Sequence, residues 1–245
     1  MARYQIILAY DGSEFSGSQR QANARTVQGV LEEALRATGW RGESILLAGR
    51  TDSGVHAAGQ VAAFDMDWAH SPQELLRAIN ARLPSDVALQ SIEEANPSFH
   101  PRFDALSRRY RYRLFVRECR DPLRERYAWR VFPPLNGEIL SSLASLWIGE
   151  HDFSAFGSPP RPEGSTVRTV MHAAWEYREG EWRFEIEANA FLYHMVRRIV
   201  YLQVRVAQGK ISKEELHRAL HQQEQILPGI APPNGLTLEA VRYSS

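Results

Sequence analysis

The run Gly49-Arg50-Thr51-Asp52-Ser53-Gly54-Val55-His56-Ala57 holds the side chains of this chain best placed to do chemistry. It contains one cation, hydroxyls and a single carboxylate, punctuated by Gly49 and Gly54 with Gly59 just beyond. Asp52 is therefore a candidate acid, base or nucleophile, with Arg50 beside it. The competing reading is a turn, because Asp is favoured there for its side-chain-to-backbone hydrogen bonds. A phosphate-cradling loop is excluded: the Gly-x-x-x-x-Gly-Lys-Ser/Thr spacing is absent and the stretch has no lysine.

The elements that must position Asp52 are two apolar runs, Ile45-Leu46-Leu47-Ala48 and Val61-Ala62-Ala63-Phe64, which read as strands on either side of a long loop. A strand near 3–10, a helix near 26–38, this strand pair, a helix after Ser71-Pro72 and a strand from Val87 complete a β-α-β-β-α-β order. The second half repeats it without visible sequence similarity: a strand at 107–116, a helix at 136–148, a strand pair turning at Glu179-Gly180, a helix from Phe191, another at 212–223 and a strand at 236–243. The expected fold is α+β, with two tandem ferredoxin-like (β-α-β-β-α-β) units forming a mostly antiparallel sheet with helices on one face. Residues 1–100 form the first unit, carrying the Asp52 loop, and residues 101–245 the second. Ser158 to Gly164 reads as a long loop.

Two elements of the second half bear on the carboxylate. In Arg109 to Val116 the period of two puts Tyr110, Tyr112, Leu114 and Val116 on one face and Arg109, Arg111 and Arg113 on the other. Tyrosines on such a face are usually core, whereas one at its edge could stack on a base and use its hydroxyl. In the helix from Phe191, helical spacing gives two apolar stripes, with Tyr193 and Arg197 in the second. A buried guanidinium requires an anion or hydrogen-bond acceptors, and Arg197 is therefore expected to face a carboxylate.

Composition narrows the classes. Hydrophobic residues at 44% and charged ones at 24% are globular values, and no apolar run approaches a membrane span. The expected location is the cytoplasm. Cys119 is the single cysteine, so neither an internal disulfide nor a cysteine-based metal site is expected; His217 and His221 have ligand spacing without a third ligand, and no metal is implied. The formal net charge is zero, yet from Ser98 to Arg130 ten arginines face four acids, and aromatics are interleaved. That density points toward nucleic acid rather than a merely solvated face.

These residues resemble the tRNA pseudouridine synthase A family over nearly the whole chain. The stretch around Asp52 is similar to the family signature, and Arg109-Tyr110-Arg111-Tyr112, Gly149 to Phe153 with Arg168-Thr169, Phe191 to Arg197, and Gly235-Leu236 match in order. Ser18 stands where the family usually has Trp, and Tyr201 where it commonly has Gly. The resemblance implies a cofactor-free homodimer that isomerises uridine to pseudouridine in the tRNA anticodon stem-loop, at positions 38 to 40. Asp52 would be the nucleophile, Arg197 would keep it ionised, and Tyr110 would stack on the uracil as a candidate for removing the C5 proton. Arg50, which would fill the gap left by a flipped uridine, joins Phe99, Arg102, Arg109, Arg168 and Arg198 as the expected RNA contacts. The alternatives are a non-catalytic RNA-binding module on the same fold and a hydrolase, which would usually need a second nearby carboxylate.

Overall fold

A computed structural model of the chain describes residues 1–161, 163–223 and 226–244, so Pro162 of the expected 158–164 loop lies outside the described residues. Among the described residues ten strands and six α-helices make an α+β structure. The chain divides into two compact units, Met1–Leu106 with Thr237–Ser245, and Ser107–Leu236.

The first unit runs β1 (Ala2–Tyr10), α1 (Val27–Ala37), β2 (Leu46–Leu47), β3 (His56–Met66), α2 (Pro72–Asn80) and β4 (Val87–Ala95), and is joined by the last strand, β10 (Leu236–Arg242). β1 lies between β4 and β3, antiparallel to both. β2 pairs antiparallel with Ala62 and Ala63, and β10 pairs in parallel with His56 and Ala57 at the start of β3. That parallel pairing is why the end of the chain clusters with its beginning.

Alternation decides which face of β1 is covered: Tyr4, Ile6, Leu8 and Tyr10 are all buried. Leu31 and Leu35 of α1 and Leu75 and Ile79 of α2 are fully buried, each worth about 2 kcal/mol relative to exposure. The helices start where side chains accept their free amides. Thr26 caps α1 through Gly29 N, and Ser71 forms a reciprocal capping box with Glu74 on α2.

The second unit runs β5 (Ser107–Val116), α3 (Pro122–Glu125), β6 (Trp129–Val131), α4 (Gly137–Ser142), β7 (Gly149–Asp152), β8 (Val167–Arg178), β9 (Glu181–Ala188), α5 (Met195–Ala207) and α6 (Lys213–His221). Its sheet is ordered β5-β9-β8-β7 with antiparallel neighbours, and β6 adds a short parallel pairing to β5. Glu179 and Gly180 both take positive φ, as a tight β8–β9 hairpin requires.

This order is longer than the simple repeat expected of the second half. α3, β6 and β7 are three or four residues each, too short for any hydrophobic period to show. The helix expected over 136–148 is split into α4 and a 3-10 turn at Ala144–Trp147.

The helix expected from Phe191 begins at Met195 instead. His194 takes φ 68, and the backbone of Tyr193 is tied to Ser158 by two hydrogen bonds, so the chain is extended up to this point. Tyr193, placed by helical spacing in a buried stripe, is consequently 57% exposed. No helix among the described residues is long and apolar enough to cross a membrane.

Candidate active site

Asp52 sits half-buried in the connection between β2 and β3, with Arg50 and Ser53 exposed beside it and Thr51 turned inward. The turn itself is closed by the Val55 amide donating to the Asp52 carbonyl at 3.2 Å. Thr51 has every polar group engaged. Its amide donates to Ser18 Oγ at 2.8 Å, its carbonyl accepts from the Ser18 amide at 3.1 Å, and its hydroxyl lies 2.8 Å from Tyr10 Oη. Gln60 Nε2 donates to Tyr10 Oη at 3.5 Å and to the Gly49 carbonyl at 3.0 Å, which leaves the phenolic proton for Thr51. Burial pushes the Tyr10 phenol up to about 12, so it is a neutral donor here.

The segment after β1 supports the other side of the loop. The Phe15 carbonyl accepts from both the Gly54 amide and the Ser53 hydroxyl at 3.2 Å. The Gly12 amide donates to His56 Nδ1 at 3.0 Å. A Cβ at Gly12 would stand 2.0 Å from the Val55 carbonyl oxygen, so this approach is open to glycine alone. The period of strands revealed none of this, although the polar run from Asp11 to Gln19 directly after an apolar strand is the signal that could have pointed to it.

Of the other expected residues in this unit, Phe99 is half-buried, its ring edge-to-face with Tyr243 at 5.1 Å and its carbonyl accepting from Arg3. Arg102 is exposed, its guanidinium 5.8 Å from the centre of the Phe103 ring. Phe103 is itself 75% exposed, so this corner presents a cation and a ring to solvent.

In the second unit Tyr110 is 9% exposed, with its ring edge-to-face against Phe191 at 5.1 Å. Tyr112 and Leu114 share its buried face as alternation requires, but Val116 is 37% exposed at the strand's end. Arg197 is half-buried rather than sequestered, and its Nε donates to the Ala231 carbonyl at 2.8 Å. Burial raises the neighbouring Tyr112 phenol well above its usual range, with the Arg197 charge pulling the other way. The late start of α5 explains Arg197's position, since it falls in the first turn and not in mid-helix.

Several arginines expected to meet RNA are engaged inside the protein. Arg109 donates twice to Glu187, which also accepts from Ser107 Oγ. Arg113 and Arg124 share Glu181; burial would raise that carboxyl, but hydrogen bonding to Arg113 and both charges hold it below its usual range. Arg117 pairs with Asp121, and Arg120 and Arg130 with Glu125. Arg109, Arg113, Arg117, Arg120, Arg124 and Arg130 are thus ion-paired, two of the acids coming from β9. Glu181 and Glu187, brought alongside from β9, thus offset part of the positive excess counted along this segment. The signal available for these partners is that Glu181, Glu185 and Glu187 share along β9 the period of two of the arginines on β5, a match that does not itself show the two strands to be neighbours.

Arg198 donates to the Gly229 and Ile226 carbonyls, and burial lowers its pKa. Arg168 donates to the Ser165 and Val167 carbonyls, its pKa is likewise lowered by burial, and its Nε is buried without a hydrogen-bond partner. No group of three or more His, Cys, Asp or Glu among the described residues could hold a metal ion.

A family model described as tRNA pseudouridine synthase matches residues 6–104 and 143–244, which takes in Asp52, Arg168 and Arg197. The chain is 41% identical to tRNA pseudouridine synthase A of Chloroflexus aurantiacus, over 99% of this chain and 89% of that protein. It is 39% identical to the protein of the same name from Thermoanaerobacter sp., over 99% and 100%, and 39% identical to that of Neisseria gonorrhoeae, over 98% and 92%. A match of this length and identity places the chain in the tRNA pseudouridine synthase family.

Proposed function

We propose that the protein converts uridine to pseudouridine in the anticodon stem-loop of tRNA, at positions 38 to 40, as a cytoplasmic homodimer. The observation that carries the reading is the near full-length relationship to tRNA pseudouridine synthase A proteins, in a chain whose β2–β3 connection holds one half-buried carboxylate. The non-catalytic RNA module is disfavoured by the same relationship.

Isomerisation breaks the bond from N1 to the sugar, turns the base and joins C5 to the same sugar carbon, so it is redox-neutral and consumes no second substrate. It requires an ionised carboxylate and a group that removes the C5 proton. In this reading Asp52 is the carboxylate, and Arg197 supplies the cation that keeps it ionised on desolvation. Tyr110 is buried with its ring edge-to-face against Phe191, which suits a ring that stacks on uracil and a hydroxyl shielded from water. The target must leave the helical stack, and exposed Arg50 is suited to fill the space it vacates. In the same reading Phe99, Arg102 and Arg168 contact the RNA, while Arg109 and Arg198, taken up by Glu187 and by the Gly229 and Ile226 carbonyls, serve the fold.

The test is to map pseudouridine in unmodified tRNA after incubation with the wild-type protein and with Asp52→Asn. The wild type is expected to modify positions 38 to 40, and Asp52→Asn to bind tRNA with nearly unchanged affinity and form no pseudouridine. Comparable turnover by the variant would leave Asp52 as a turn residue.

A further inference from the structure

We infer that Ser18 is a positioning residue for Asp52, acting through a two-bond clamp on Thr51; this rests on the reading of Asp52 as the catalytic carboxylate. Ser18 lies 33 residues before Thr51 and is fully buried. Its Oγ accepts from the Thr51 amide at 2.8 Å while its own amide donates to the Thr51 carbonyl at 3.1 Å. Holding both the amide and the carbonyl of one residue restrains its φ and ψ together, and the residue that follows is the carboxylate.

The clamp is anchored in a helix. The Gly17 and Ser18 carbonyls accept from the Val27 and Gln28 amides, the first two of α1, at 3.4 and 2.9 Å. A helix start leaves such amides without intrahelical acceptors, so the 17–18 turn serves them and is held by them. Gly17 has φ +96, and a Cβ there would stand 3.0 Å from the Thr51 carbonyl oxygen, so the turn packs directly against the loop. The rigidity of α1 is thereby passed through two residues to the peptide before Asp52.

In this chain the side chain at position 18 accepts a hydrogen bond in a fully buried space. Alanine fits the space but leaves the Thr51 amide, in a residue only 7% exposed, without an acceptor. Thr51 keeps the bond from the residue-18 amide to its carbonyl and its contact to Tyr10 in that case, so it loses one of three attachments and retains two. Asp52 then samples orientations away from the reacting sugar, and the loss falls on turnover and not on tRNA capture.

The test combines two readouts on Ser18→Ala and Ser18→Cys. Amide hydrogen exchange at Thr51, in protein labelled with nitrogen-15 threonine, reads the clamp without any substrate. Faster exchange at Thr51 in Ser18→Ala, with strand amides of β1 and β3 still protected, is expected. Pseudouridine formation on tRNA reads the consequence: kcat should fall ~10- to 100-fold while KM stays within about twofold. Ser18→Cys, which keeps a weak acceptor of similar size, should fall between alanine and wild type in both readouts. Unchanged Thr51 exchange in Ser18→Ala, or a variant whose kcat equals that of wild type, overturns the inference. If Ser18→Ala does not fold, a Ser18→Cys protein with wild-type exchange and kcat overturns it, and one impaired in both supports it. A wild-type protein that makes no pseudouridine would refute the functional reading, while the exchange data would still decide whether Ser18 holds the loop.

Discussion

Adding one methyl group at Gly12 tests how tightly the Asp52 loop must be held. The new Cβ would stand 2.0 Å from the Val55 carbonyl oxygen and 2.5 Å from its carbon, whereas real Cβ contacts essentially never fall below 3.0 Å. The backbone around Val55 must therefore retreat by about 1 Å, and overpacking of this kind typically costs ~1–3 kcal/mol. For a chain of 245 residues that corresponds to a melting temperature lower by roughly 2 to 6 °C. The Val55 amide is bonded to the Asp52 carbonyl, so the displacement reaches the carboxylate's own residue. A shift of about 1 Å in a catalytic group can lower the rate ~100-fold. Single-turnover formation of pseudouridine by Gly12→Ala, with enzyme saturating over tRNA, should show that loss, while filter binding shows tRNA affinity within about twofold of wild type. A variant that turns over within about threefold of wild type and melts normally would show that the loop tolerates displacement, and the argument from close packing would fail.

Tyr110→Phe keeps the ring against Phe191 and removes only the hydroxyl; it should bind tRNA normally and release little tritium from 5-tritiated uridine, and near-normal release by a folded variant would rule out the hydroxyl as the base. Salt titrations of tRNA binding should separate the arginines. Arg50→Ala or Arg102→Ala should lower the log–log slope by about one. Arg113→Ala should leave that slope unchanged but cost about 1–3 kcal/mol in denaturant unfolding, because it strips a partner from the buried Glu181 carboxylate. Tyr10 makes the alkaline limb of stability testable. Its folded pKa of about 12 lies above the ordinary value of 10, so its contribution is fully present below pH 10 and is lost as pH rises toward 12. At pH 12 Tyr10→Phe should lose roughly 2 to 3 kcal/mol less, relative to its own stability at pH 8, than the wild type does; parallel alkaline melting curves would contradict that.

Local patterns were legible where an element was long enough to carry them. β1, α1, α2, β5 and the β8–β9 hairpin stand where alternation, helical spacing, the Ser71-Pro72 cap and Glu179-Gly180 put them. The start of α5 was not legible, because the apolar spacing from Phe191 continues a helical pattern that backbone hydrogen bonds to Ser158 interrupt. Nor did the arginine-rich strand disclose its partners. Charge counted along a segment says nothing of acids that the fold brings alongside, and Arg109 and Arg113 meet Glu187 and Glu181 from 78 and 68 residues away.

The sequence alone determined that this is an α+β protein with one carboxylate in a glycine-punctuated loop between strands, since side-chain period, caps and turn residues are properties of a few consecutive positions. It also carried the ordered motifs that single out Asp52, Tyr110 and Arg197. Only the tertiary structure decided how that loop is held and which cations remain at the surface. Ser18 and Tyr10 reach Thr51 across 33 and 41 residues, and the glutamates of β9 reach the arginines of β5 through strand register. A hydrogen bond or ion pair between distant positions depends on distance and burial in space, and neither leaves a mark on neighbouring residues that periodicity could detect.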